Sequence, residues 1–441
     1  MKASNISKEY LEIVKKDEDR YYKDYEQTVD AVANSNAKYK GEPIPFLYQP
    51  IIFTQEDIDN FKQIGKTLIS ITNKVVDKYI ESPKFRKKFG YSKLLEELIL
   101  ADHGYDINVP IGRFDIFYGG GDNFKFCELN TDGSSAMNED NTLARIILDS
   151  KPIVEMKEKY DINYFELIYS WVEESINIYN TFDNAVDKPN VAIVDFEGSG
   201  TPAEFEEFKK AYIDKGYNAV IVDPRQLKYN NGKLYFEDME INLVYRRIVT
   251  RELVDRSDEI QDFIQAYKDK AVCVIGPIKS QIMHNKIIFK ILHDEDTLEF
   301  LNENEREYIK KHVPYTIEFE NDREIFNEAL ENKDRYVVKP RDLYASKGVY
   351  VGRDFNEEDW RQKLEECWEH DYLLQEFCQP YKQELVQFKD SGMEVNKFNH
   401  ILGLFMYNEK LKGLYTRVGS NNIVSGLHGY YTVPNLLFTE K

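Results

Sequence analysis

Residues 111–130 constrain this chain more than any other stretch. Ile111 to Tyr118 reads as a strand, Gly119-Gly120-Gly121-Asp122-Asn123 is a strong turn signal, and Phe124 to Asn130 reads as a second strand. Side chains alternate faces along a strand. Arg113, Asp115 and Phe117 therefore share one face, and Phe124, Phe126, Glu128 and Asn130 are expected to share one. A four-residue loop, Gly120 to Asn123, sets Asp115 opposite Glu128 and Arg113 opposite Asn130. Two opposed carboxylates repel each other, so the pattern asks for a positive charge between them. Carboxylate and amide oxygens are hard ligands that suit Mg²⁺ and suit zinc poorly. Arg113 beside such an ion can stabilise charge on a phosphoryl group. The competing reading is an exposed hairpin face with an ordinary salt bridge. Gly133-Ser134-Ser135 follows at once and adds small donors just past the strand end, which favours a site.

The rest of the chain reads as mixed α/β. Residues 1–100 have helical periodicity, as in Phe61, Ile64, Leu68 and Ile71, and residues 151–180 read helical again. From Val191 the pattern becomes strand, helix, strand: Val191–Phe196, Ala203–Lys215, Asn218–Val222. Asn231-Gly232 joins two short strands in a type I′ hairpin. A strand Leu243–Ile248 carries Arg246 and Arg247, Ala271–Ile275 is a short buried strand, and Ser280–His293 reads as a helix around Lys286. Further strands are expected at Tyr336–Lys339, Gly348–Gly352, Tyr372–Phe377, Ile401–Tyr407 and Gly413–Val418.

Gly198-Ser199-Gly200-Thr201-Pro202-Ala203 fits the dinucleotide fingerprint in outline, with Asp223 ending the next strand. The strand before it ends in Asp195-Phe196-Glu197, which repels a pyrophosphate. A short turn in a non-nucleotide α/β unit is the plainer reading. Val337-Val338-Lys339-Pro340 ends a buried strand in a lysine, and a polar loop, Arg341 to Gly348, follows. Such a lysine can hold phosphate as a point charge, and the loop's N–H groups can cover phosphates. Lys286 offers a second cation. Leu373-Leu374-Gln375-Glu376-Phe377 turns from apolar to polar, which suits an adenine slot with Glu376 on a ribose hydroxyl. Each lysine alone is more often a solvated surface group; the ordered combination is what points to a nucleotide.

Charge and cysteine usage narrow the classes. Seventy-eight acidic against 58 basic residues give a net charge of −20, which disfavours a general nucleic-acid binder and anchoring to anionic lipid. The first residues carry no apolar signal segment, and no apolar run is long enough for a membrane span. Cys127, Cys273, Cys367 and Cys378 are scattered, as expected of free thiols in a reducing cytoplasm.

In this order the motifs resemble the circularly permuted ATP-grasp ligases of the glutathionylspermidine synthase family. The matching pieces are Arg113-Phe114-Asp115, Glu128-Leu129-Asn130-Thr131-Asp132, His284-Asn285-Lys286, Val338-Lys339-Pro340 with its loop, and Leu374-Gln375-Glu376-Phe377, over residues 105–441. The resemblance implies an α/β, α+β architecture: helices over 1–104, core hairpin and helices over 105–185, a pre-ATP-grasp α/β domain over 186–270, and a nucleotide-binding region over 271–441. It implies ATP and two Mg²⁺ as cofactors, Asp115, Glu128 and Asn130 as metal ligands, and Arg113 as the charge-stabilising group. Lys286, Lys339, Gly348, Gln375, Glu376 and Phe377 would bind ATP, and Ser134, Ser135, Arg246, Arg247 and Arg417 would contact substrate. The implied reaction joins a small-molecule or peptide carboxylate to an amine, such as a polyamine, through an acyl phosphate. No cysteine precedes Cys127, so the N-terminal cysteine amidase of bifunctional members is not expected. A non-catalytic nucleotide binder of this fold and a dinucleotide oxidoreductase using Gly198–Ala203 are the alternatives. The motifs name neither the two substrates nor the oligomeric state.

Overall fold

The hairpin lies at one side of a six-stranded antiparallel sheet. The computed structural model describes residues 2–320, 322–343, 346–368, 370–389, 392–426 and 429–441. Strands Phe124–Asn130, Ile111–Tyr118, Gly392–Tyr407, Lys410–Gly419 and Tyr431–Val433 cross this central sheet in that order, and Lys382–Lys389 pairs with the first half of the long strand. The strand expected at Ile401–Tyr407 is thus the second half of a longer one. One face of the sheet is apolar: Phe114, Ile116, Phe126 and Leu129 pack with Phe61, Ile64, Leu68 and Ile71. Those four residues belong to helix Gln55–Glu81, which starts at a capping box between Thr54 and Asp57. Gly65 lets this helix approach closely, because a Cβ there would lie 2.6 Å from Met406 Cε.

A second antiparallel sheet holds Thr316–Glu318, Tyr372–Glu376, Tyr336–Pro340 and Tyr350–Val351, in that order. Helices Arg323–Glu331 and Glu357–Cys367 cover its far face through Phe326, Trp360 and Leu364. The third main sheet is parallel, ordered Cys273–Ile275, Leu243–Arg246, Asn190–Val194, Asn218–Val222, with helix Pro202–Asp214 as the crossover. This is the expected α/β unit. The Asn231-Gly232 turn has positive φ at both residues, 50° and 76°, as a type I′ hairpin requires.

Two helical expectations are corrected. Residues 151–180 are not continuous helix: strand Tyr160–Tyr164 separates helices Lys151–Met156 and Tyr169–Tyr179 and pairs with Asn435–Glu440. The segment around Lys286 is not one helix either. Helix Gln281–His284 stops at Asn285, and a new turn, Ile288–Ile291, begins after Lys286. The Lys286 N–H donates to Arg341 O at 2.9 Å instead of continuing the first helix. All four cysteines are free. No helix among the described residues is long and apolar enough to cross a membrane.

Candidate active site

The hairpin places Asp115 opposite Glu128 and Arg113 opposite Asn130, the expected partners. It reaches that pairing by another route. Tyr118 pairs with Phe124, so the loop has one residue more than expected, and the register slips back between Asp115 and Ile116, where Cys127 has no partner. Cys127 is therefore a β-bulge. The bulge also corrects the expected faces. Phe124 and Phe126 point into the core with Leu129, while Glu128 and Asn130 are turned to the opposite side with Arg113 and Asp115.

The polar groups form one connected cluster. Arg113 Nε donates to Asp115 Oδ1 at 2.6 Å and its Nη2 to Oδ2 at 3.0 Å. Arg417, from strand Lys410–Gly419 two places along the sheet, donates to Asp115 Oδ2 at 3.0 Å. Asn130 Nδ2 bridges the two carboxylates, 3.2 Å from Asp115 Oδ2 and 3.1 Å from Glu128 Oε1. Burial would raise the Glu128 carboxyl, but Lys286, Arg417 and Arg113 around it bring it down to about 2. Burial pulls the Lys286 ammonium below the usual lysine range; Glu128 opposes this and Lys339 adds to it. Glu139, at the start of the next helix, accepts from Tyr415 Oη at 2.9 Å. Burial lifts its carboxyl to about 7.

Glu128 borders a cleft between the central and second antiparallel sheets. Lys286, Lys339, Gln375, Glu376, Phe377 and Arg417 line the same cleft. The ammonium of Lys286 donates to Leu343 O at 2.6 Å, and that of Lys339 to Cys127 O at 3.3 Å. Gln375 turns its amide inward to Thr316 Oγ1, and the Phe377 N–H donates to Arg335 O. Glu376 is solvent-exposed, 3.9 Å from Lys125. Phe117, Val337, Val351 and Ile401 supply apolar walls that sequence reasoning did not assign. Phe117 was within reach, since it shares the Arg113–Asp115 face. The loop Asn422–Val424 also lines the cleft and carried no recognisable signal. Gly348 borders the adjoining outer groove with a φ of +71°. Tyr344 and Ala345 of the expected phosphate loop lie outside the described residues.

Other candidates sit away from the open cleft. Arg246 is paired with Asp132 at 2.7 Å, each side chain 1% exposed. Arg247 is buried on Glu204 at 2.8 Å and on Ser134 O. Both arginines face protein groups in this structure. The Ser134 hydroxyl donates to Asn130 O, and Ser135 O accepts from Arg113 Nη1 at 2.8 Å. At the Gly198–Ala203 turn, a Cβ on Gly200 would lie 2.3 Å from Asp195 Oδ2. The chain's own carboxylate therefore fills the place a pyrophosphate would need, and burial raises that carboxyl to about 6.

The donor set fits a hard cation only in part. Among the described residues no group of three or more His, Cys, Asp and Glu could hold a metal ion. One carboxylate on the cleft with a second beside it is enough for Mg²⁺ when a ligand's phosphates and water supply the remaining oxygens.

Residues 32–432 match the family model described as glutathionylspermidine synthase preATP-grasp. The chain belongs to this family. No curated protein matches the chain. A solved glutathione synthetase-like effector from Globodera pallida is similar over 93% of this chain and 96% of its own, at 14% identity and a TM-score of 0.59. Weaker likenesses, over 57% of this chain and 89% of theirs at 13% identity, are D-alanyl-alanine synthetase A from Vibrio cholerae O1 biovar eltor (TM-score 0.31) and the ATP-grasp ligase PsnB with Mg and ADP (0.29). This member of the glutathionylspermidine synthase family has the ATP-grasp fold, with the cleft between its central and second antiparallel sheets.

Proposed function

We propose that the protein is an ATP-dependent carboxylate–amine ligase that forms an amide through an acyl phosphate. One observation carries this reading: Glu128, Lys286, Lys339 and Arg417 border a single cleft, with Arg113 and Asp115 hydrogen-bonded behind them. Phosphoryl transfer depends on positioning and electrostatics rather than on a protein nucleophile, and this cluster supplies cations around a carboxylate pair. ATP lies in the cleft with its base near Gln375–Phe377. Lys286 and Lys339 release their carbonyl partners to hold phosphate oxygens. Asp115, Glu128 and Asn130 would hold two Mg²⁺ ions carried in with the nucleotide, which neutralise charge on the phosphates. A substrate carboxylate oxygen attacks the γ-phosphorus, and ADP leaves with the bonding electron pair. Arg113 and Arg417 stabilise the transferred group. The amine then attacks the acyl carbon, the C–O bond to phosphate breaks, and phosphate departs.

Ser134 and Ser135 are proposed to meet the carboxylate substrate at the end of the hairpin. Family membership makes glutathione and spermidine the first pair to test. The purified protein, MgATP, glutathione and spermidine are mixed, phosphate release is followed, and the product mass is read. A panel of peptide carboxylates and amines follows in the same format. Phosphate release that requires both partners, with an amide product, is expected. MgADP binding without turnover across the panel would instead favour a non-catalytic nucleotide binder.

A further inference from the structure

Asp115 is more heavily engaged than a waiting metal ligand. Its two oxygens accept from Arg113 Nε and Nη2, Arg417 Nη2 and Asn130 Nδ2, all within 3.2 Å. Its side chain is 1% exposed. A divalent cation approaching Asp115 would meet two guanidiniums, and these cannot be neutralised by losing a proton. The two arginines are not held alike. Both lie over the Tyr415 ring, 5.2 and 5.7 Å from its centroid, but Arg113 is also fastened to Ser135 O at 2.8 Å. Arg417 is 17% exposed and lines the cleft. It is the partner that can leave toward the cleft.

We propose that Arg417 occupies the cation position beside Asp115 until nucleotide phosphates draw its guanidinium away, so that divalent metal enters only together with nucleotide. This rests on the ATP-binding reading above. The exchange is chemically even. A guanidinium leaves one oxyanion for another and keeps charge-assisted hydrogen bonds in both places. The metal then replaces the departed positive charge, so the two carboxylates never face each other uncompensated. Linkage adds a reciprocal requirement: metal must tighten nucleotide by the same factor that nucleotide tightens metal.

Mn²⁺ is the probe, and its free concentration is read by electron paramagnetic resonance with the full-length protein, with and without ADP. Wild-type protein should bind Mn²⁺ at least about tenfold tighter when ADP is present, and calorimetry should show Mn²⁺ tightening ADP equally. Arg417→Gln removes the occupying charge and should bind Mn²⁺ without ADP at least about tenfold tighter than wild type. Arg417→Lys keeps a charge there and should stay near wild type. Equal Mn²⁺ affinity with and without ADP in the wild type overturns the proposal, and that comparison needs no variant. A folded Arg417→Gln protein that gains no Mn²⁺ affinity overturns it too. Failure of ADP to bind in any metal condition would instead overturn the ATP-binding reading itself.

Discussion

Arg246 and Arg113 hold aspartates at opposite ends of one short stretch of chain. Arg246 reaches Asp132, just past the hairpin, from the parallel sheet; Arg113 reaches Asp115 from two residues away on the same strand. Arg247 and Arg417 complete the two sets, one on Glu204 and one also on Asp115. The sets differ in what stands behind them. The Arg246 set joins elements distant in sequence and faces only protein, so its hydrogen bonds have no competitor. The Arg417 end of the other set opens on the cleft, where an anionic ligand can compete for the guanidinium. Charge and hydrogen bonding alike are present in both; access to the cleft is what separates scaffold from site.

The largest effect should come from Arg246→Met. It leaves Asp132 buried without its ion-pair partner, which costs about 3–5 kcal/mol, read by urea unfolding. Residual folded protein should keep wild-type ADP affinity. Unchanged stability with lost ADP binding would erase the contrast between the two sets. Glu128→Gln should fold normally but lose the metal-dependent tightening of ADP, an effect of about tenfold or more, read by calorimetry with and without Mn²⁺. Next comes pH. Burial raises the Glu139 carboxyl to about 7 in the folded chain, from the ordinary 4.5 of an exposed glutamate. Its stabilising contribution is therefore complete below about 4.5 and is lost as pH rises through about 7. Melting temperatures measured between pH 5 and 8 should fall less steeply in Glu139→Gln than in wild type, a difference on the order of 1–2 kcal/mol. A parallel fall in both proteins would place the titrating group elsewhere. The smallest effect belongs to Lys125→Ala. Its carboxylate partner, Glu376, is half-exposed at the cleft rim, so stability should move by less than about 1 kcal/mol.

The site was legible where its contacts are local. Strand alternation alone put Arg113 and Asp115 on one face, and Glu128 and Asn130 do lie opposite them, though through a longer turn and a bulge that no local pattern announced. Lys339 could be singled out because it ends a short apolar strand. The roles of Arg246 and Arg247 were not legible. Their acidic partners lie 114 and 43 positions away, and no local pattern reports such a pairing. The break at Asn285 was hidden for the same reason: apolar spacing continues through it, while the Lys286 N–H is taken by Arg341 O from a distant strand end. Strand Tyr160–Tyr164 is short, and its partner is the last strand of the chain. Sheet pairings of that range are selected by the assembled fold rather than by propensity.

The bulge at Cys127 puts a backbone group to use at the cleft wall. Its thiol makes no contact on which the metal-side cluster depends, while its backbone carbonyl accepts from Lys339. Because Cys127 also lines the cleft, a residue there must adopt the bulged backbone and stay small. Removing the residue is a different event. The ladder would close up with Phe126 and Leu129 still on the core side and Glu128 and Asn130 still opposite Asp115 and Arg113, and what would be lost is the carbonyl that holds Lys339. Position 127 is thus an inserted step that turns a backbone oxygen toward the second sheet while leaving the two faces of the strand as they would be without it.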